Sequence, residues 1–138
     1  MERFALQKCI QLTKSMLSRK ICRPFSHPIE QGPEYPDYFS FIKKPMDLKT
    51  VMKKLEQNLY QNVEEWINDV DQIWKNAFLY FDKTDLRYLI AIEMRQWVYR
   101  KLSTVPLRPT GEWLHSLQKT ANALYKIASC PPARGHGS

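Results

Sequence analysis

Five prolines between positions 24 and 45 (Pro24, Pro28, Pro33, Pro36 and Pro45) constrain this chain more than any other feature. A proline inside a helix removes a backbone donor and clashes with the preceding turn, at a cost of about 3 kcal/mol, so no continuous helix runs through them. Upstream, apolar residues recur at helical spacing. From about Glu2 to Arg19, Leu6, Ile10, Thr13 and Leu17 share one face, with Cys9 and Met16 beside them. The chain therefore reads as a first helix, then about 25 residues of loop from Ile21 to Pro45. Loops of that length in a compact domain tend to carry function. A tight turn at Gly32-Pro33, followed by Tyr35, Tyr38, Phe39 and Phe41, points to an ordered loop pinned by its aromatics.

Helical spacing returns after Pro45. Asp47 is a good N-cap for a second helix carrying Leu48, Val51, Met52 and Leu55 on one face and stopping near Asn58. Asn62 opens a third, with Glu65 at capping-box spacing and a broad apolar stripe of Val63, Trp66, Ile67, Val70, Trp74, Ala77 and Phe78. After a break from Phe81 to Lys83, Thr84 is the expected cap of a fourth helix with Leu86, Leu89, Ile90, Trp97, Val98 and Leu102 as its stripe. Strand signals are absent. Four amphipathic helices with one long connection after the first predict an all-α antiparallel four-helix bundle over residues 1–104. Residues 105–130 read as a stiff linker, Val105-Pro106-Leu107-Arg108-Pro109, and an extra C-terminal helix capped by Thr110 and packing back on the bundle. The tail, 131–138, is expected to be disordered, and the abrupt ends imply a piece of a longer protein.

Composition removes several function classes. Cys9, Cys22 and Cys130 are odd in number and widely spaced, which supports neither a disulfide framework nor a zinc site and fits a reducing compartment. No apolar run approaches 18 residues, so no membrane span is expected, and the N-terminus is too charged for a signal peptide. Cys22 and His27 share the long loop, but no orienting acid or oxyanion loop accompanies them. The four glycines form no phosphate-cradling loop. The chain is expected to be no enzyme and to need no cofactor or metal. Its net charge of +7 is concentrated in Lys43, Lys44, Lys49, Lys53 and Lys54 and in the N-terminal segment, with an acidic stretch from Glu56 to Asp71 between them and the last helix. Such a surface attracts nucleic acid or acidic proteins.

Pro36-Asp37-Tyr38 and Pro45-Met46-Asp47-Leu48, read with Pro24-Phe25 upstream and Tyr80 downstream, resemble the bromodomain, the four-helix module that reads acetylated lysine. The resemblance covers roughly Leu6 to Leu102. It implies a left-handed bundle with an acetyl-lysine pocket at one end, between the long first loop and the loop before the last helix. It also implies roles by position. Pro24-Phe25 would be the hydrophobic shelf, with Arg23 where a tryptophan is often found. Ile29 would pack against the acetyl-lysine stem, Tyr38 would hold a bridging water to the acetyl carbonyl, and Tyr80 would form the pocket wall. Phe81 falls where the family usually places the asparagine that holds the acetyl group, and Leu86 or Arg87 falls where its gatekeeper stands.

Phe81 offers an acetyl carbonyl no conventional hydrogen bond. Leaving a buried polar group unpaired costs about 1–3 kcal/mol, or one to two decades of affinity. Recognition of acetyl-lysine is therefore expected to be weak or altered, with Phe81→Asn raising it if the pocket is otherwise open. Asp82, with Tyr35, Tyr38, Tyr80 and Phe81, would make a partial aromatic cage for a cation, although closure of a vestigial pocket by Phe81 weighs more. Three binding functions compete: an atypical reader of histone or other protein tails, a degenerate bromodomain serving as a scaffold, and a basic nucleic-acid-binding surface led by Lys43, Lys44, Lys49, Lys53 and Lys54. The resemblance favours the first, in the nucleus, within a larger chromatin protein or complex, and away from membranes.

Overall fold

The computed structural model describes residues 1–104. The extra helix and tail expected over 105–138 lie outside the described residues. Within them the chain is helical, in the order α1 (Arg3–Leu17), a six-residue 3-10 turn (Lys20–Phe25), the short α2 (Tyr38–Phe41), α3 (Leu48–Glu56), α4 (Val63–Tyr80) and α5 (Leu86–Thr104). No strand forms among the described residues; the one antiparallel bridge joins Gly32 to Tyr35 across the turn that Gly32-Pro33 predicts.

The starts of α3 and α4 follow from local chemistry. Asp47 caps α3 by accepting from the Thr50 amide at 2.9 Å and the Thr50 hydroxyl at 2.6 Å. Asn62 accepts from the Glu65 amide at 3.0 Å, and Glu65 reaches back to the Gln61 amide at 2.7 Å, one residue earlier than a standard capping box. At the far end of α3, Asn58 takes φ 54°, the left-handed geometry that stops the helix near the expected residue.

The four long helices bury one continuous core. α1 packs on α3 and α4, and α4 packs on α5. Trp66, Trp74 and Phe78 from α4 fill its centre with Leu48, Val51 and Leu55 from α3 and Ala5, Cys9 and Met16 from α1. Thr13 supplies the polar detail: its hydroxyl donates to the Cys9 carbonyl at 2.7 Å and accepts from the Trp66 indole at 3.1 Å.

Two sequence expectations for the last helix are corrected, its cap and the first two leucines of its stripe. Asp85, not Thr84, caps α5, its carboxylate accepting the Arg87 amide at 2.8 Å while the Thr84 hydroxyl turns to Asp82. Of the expected stripe, Ile90, Trp97, Val98 and Leu102 are buried, joined by Tyr88, Ala91, Met94 and Arg95, whereas Leu86 and Leu89 stand 69% and 50% exposed. The cause is Arg95, 1% exposed and joined to Asp71 of α4 by two short bonds, Nε to Oδ1 at 2.6 Å and Nη2 to Oδ2 at 2.7 Å. That buried pair fixes the rotation of α5 against α4 and turns the two leucines outward.

The long loop is ordered by bonds to the bundle. Asn76, buried on α4, donates its side-chain amide to the Lys44 carbonyl at 2.8 Å and accepts from Gln72 at 2.8 Å. The Lys49 amide donates to the Ser26 carbonyl at 3.1 Å, tying the start of the loop to α3.

Candidate peptide-binding site

At the end of the bundle where α4 gives way to α5, the loop aromatics converge. α4 ends as Phe81 takes an extended backbone (φ −89°, ψ 149°), which turns its ring into the molecule, where it is 4% exposed. Around it stand Tyr80 (ring centroids 5.2 Å apart), Tyr35 (6.1 Å) and, through Tyr80 at 4.9 Å, Tyr38. These are edge-on contacts of the kind aromatic rings prefer, so the rings fill one another's gaps and do not stand apart as the walls of an empty cage. Burial among the neighbouring phenols pushes the Tyr38 hydroxyl up to about 12.

A cation is already seated on this cluster. The Arg87 guanidinium carbon lies 4.1 Å from the Phe81 ring centroid and 5.6 Å from that of Tyr35. Asp85 holds it from the side at 2.9 Å to Nε and 2.8 Å to Nη2, and its Nη1 donates to the Tyr35 hydroxyl at 3.3 Å. Glu34 adds a longer ion pair at 3.9 Å. The fork geometry makes this a two-point grip, and it holds the Asp85 carboxyl below the usual carboxylate range. Arg87 thus bridges the long loop, through Tyr35, to the α4–α5 loop, through Asp85.

The residues singled out from sequence are consequently divided among three clefts. Pro24, Ile29 and Tyr35 share one of about 550 Å³ with Arg23 and His27. Ile29 also lines a second, of about 250 Å³, with Tyr38, Phe39 and Met46. Tyr80, Phe81 and Arg87 line a third, of about 280 Å³, with Glu34, Asp37, Asp82 and Asp85. Phe25 lines none of these three: it is buried edge-on against Trp74 at 5.4 Å. Of the two gatekeeper candidates, Arg87 reaches the cluster and Leu86 points to solvent. The third cleft carries four carboxylates against one guanidinium, on a chain whose overall charge is +7. Sequence reading placed Asp82 there but overlooked Glu34, Asp37 and Asp85; Asp37 accepts from the Tyr80 hydroxyl at 3.0 Å.

Four of the five lysines of the expected basic patch lie on the surface. Lys43, Lys44, Lys49 and Lys53 are exposed, but Lys54 is half-buried, 2.6 Å from Asp69 and 4.9 Å from the Tyr60 ring centroid, and Lys49 Nζ lies 2.8 Å from His27 Nε2. The acidic stretch and the lysine cluster, separate in sequence, meet here. Cys22 is buried with its thiol pushed up to about 11, which gives it no nucleophilic character at neutral pH. No group of three His, Cys, Asp or Glu that could hold a metal, and no helix long and apolar enough to cross a membrane, occurs among the described residues.

The rigid part of the molecule is thus an antiparallel helical bundle, and its two loops meet over an aromatic cluster at one end. Comparison with known proteins gives the family. The bromodomain profile matches residues 9–93, and the chain belongs to the bromodomain family. It is 35% identical over 111 residues to the nucleosome-remodeling factor subunit NURF301-like of Caenorhabditis elegans, covering 80% of this chain and 5% of that protein. It is 36% identical over 91 residues to the nucleosome-remodeling factor subunit NURF301 of Drosophila melanogaster, covering 66% and 3%. A third relative, histone acetyltransferase GCN5 of Yarrowia lipolytica, is 31% identical over 83 residues, covering 60% and 18%. The chain thus spans a small fraction of each of these relatives. Among solved structures, the second bromodomain of Candida albicans Bdf1, bound to an imidazopyridine, superposes with a TM-score of 0.68 at 28% identity, covering 73% of this chain and 98% of that one. Bromodomains are reader modules and not enzymes.

Proposed function

We propose that this bromodomain binds basic tails of histones or other proteins at its loop end, with acetyl-lysine recognition weakened because its own side chains occupy the place of the acetyl group. The observation that carries this reading is Arg87 seated 4.1 Å over Phe81 and pinned by Asp85 and Tyr35. A ligand reaching Phe81 must displace a guanidinium held by charge-assisted bonds and an aromatic face. Once there it meets a phenyl ring where the family usually offers an amide donor, and its carbonyl goes unpaired. The rim of Glu34, Asp37, Asp82 and Asp85 suits a tail rich in lysine and arginine, whatever its acetylation. The relatives named for nucleosome remodelling support a nuclear, chromatin-bound setting within a larger protein.

Fluorescence anisotropy with matched acetylated and unmodified histone-tail peptides tests this. Expected is salt-sensitive binding that changes by less than about tenfold on acetylation, with Tyr38→Phe altering only the acetyl-dependent part. Strong preference for acetylated peptide would overturn the proposal. Binding that ignores acetylation, Tyr38→Phe and neutralisation of Asp82 alike would move the function to another face and make the domain a scaffold.

A further inference from the structure

Away from the loop aromatics, α1 and α5 wall a cleft of about 430 Å³. Lys8, Ser15, Ser18 and Arg19 line it from the α1 side, Trp97 and Lys101 from α5. No carboxylate lines it among the described residues. The Arg19 guanidinium carbon is 5.0 Å and the Lys101 Nζ 5.8 Å from the Trp97 ring centroid, so two cations rest on one indole. Glu93, an acid on the same helix as Trp97 and Lys101, is itself paired with Arg100 at 3.3 Å. The flanking chain is uniform in sign: Arg3 to Arg23 holds Arg3, Lys8, Lys14, Arg19, Lys20 and Arg23 and not one Asp or Glu.

We propose that this cleft binds the phosphate backbone of duplex DNA without reading its sequence. A protein partner would need a buried apolar or aromatic anchor, and the cleft offers only half-buried Leu12 and an indole that is 8% exposed. The same burial of Trp97 denies a single strand the open ring face on which bases stack. What remains is cationic and hydroxyl-bearing, the composition of a DNA interface. Geometry agrees. From Lys8 to Leu17, α1 advances about 14 Å at 1.5 Å per residue, while phosphates of one strand follow about every 3.4 Å along the duplex axis. Lys8 near one end of that span, Arg19 just past the other and Lys101 across the cleft are the three candidate phosphate contacts. Releasing their counterions gives a slope of log K against log salt of about −2.7, a loss of roughly 40-fold in affinity between 50 and 200 mM salt. The lysine patch expected from sequence, which loses Lys54 to Asp69, is the rival surface and supplies the control.

The test is anisotropy of a short labelled DNA duplex of arbitrary sequence with the full 138-residue chain across that salt range. Expected is the slope above, with Lys8→Gln and Lys101→Gln each weakening binding about eightfold at 0.1 M salt and making the slope shallower by about 1. The control pair, Lys43→Gln with Lys44→Gln, should leave both nearly unchanged, and thermal melts check that every variant is folded. No binding at 50 mM salt overturns the proposal. So does an equal loss in the control pair, which would mean diffuse charge. Equal competition by polyglutamate would assign the cleft to acidic proteins, and preference for a single strand would contradict the reading of Trp97.

Discussion

Replacing Phe81 by asparagine probes the proposed occlusion of the site directly. On sequence alone the change should raise acetyl-lysine affinity if the pocket is otherwise open; on the function proposed here Arg87 keeps it occupied. Arg87 is held by Asp85 at 2.8 and 2.9 Å and by Tyr35 at 3.3 Å, bonds that Phe81→Asn leaves in place. The single variant should therefore gain less than about threefold in affinity for an acetyl-lysine peptide. Phe81→Asn with Arg87→Ile removes both occupants. The new amide can then pair with the acetyl carbonyl, an interaction of about 1–3 kcal/mol, or roughly five- to 150-fold. Stability should fall in both, because a buried aromatic ring is lost at about 3 kcal/mol, on the order of 10 °C in melting temperature. Calorimetric titration with matched acetylated and unmodified peptides, beside a thermal melt, separates affinity from folding. Two results refute the reasoning: a full gain in the single variant, which frees Arg87 of blame, or no gain in a folded double variant, which removes Phe81 from the acetyl position.

Three further outcomes follow from the core and the thiols. Asp71→Ala strands Arg95, whose Nη1 already lacks a hydrogen-bond partner among the described residues, and should cost about 3–5 kcal/mol in urea denaturation; Asp71→Leu with Arg95→Met should recover most of it. Thr13→Val leaves the Trp66 indole N–H buried and unpaired and should lower the urea midpoint by the equivalent of about 1–3 kcal/mol at unchanged slope, whereas Thr13→Ser should retain most of the stability. Burial raises the Cys9 thiol from 9.0 to about 12, so its contribution to stability is fully present below pH 9 and falls as pH rises from 9 towards 12. Alkylation at pH 8 followed by peptide mapping should find Cys9 and Cys22 modified only after denaturation.

Much of the fold is legible in the sequence because its signals are local. Asp47 and Asn62 announce α3 and α4 by the chemistry of their own first turns, and the prolines exclude a helix from the loop centre. The rotation of α5 is not local. Its buried stripe runs Tyr88, Ala91, Met94, Arg95, Val98, and a charge in the middle hides the period; the partner, Asp71, lies 24 residues away. A signal was available, since Asp71 itself interrupts the apolar stripe of α4 between Val70 and Trp74. The 3-10 turn at Lys20–Phe25 and the short α2 are set by tertiary contacts and have no period to read. At the site, the aromatic residues are visible in sequence but not their mutual packing, which draws on residues 35, 38, 80 and 81. That a cation completes the cluster was foreseeable in kind; that the chain supplies it from Arg87 follows only once Asp85 and Tyr35 are seen on either side.

The most direct measurement is an NMR titration of the isotopically labelled domain with one histone-tail peptide in acetylated and unmodified forms. Expected are small shifts with both forms, centred on the acidic rim of Glu34, Asp37 and Asp82, while the signals of Phe81 and the Arg87 side chain hold their positions. Saturable shifts at Ile29, Tyr38, Phe81 and Arg87 with the acetylated peptide alone would contradict the closed site and establish a reader that works without the asparagine.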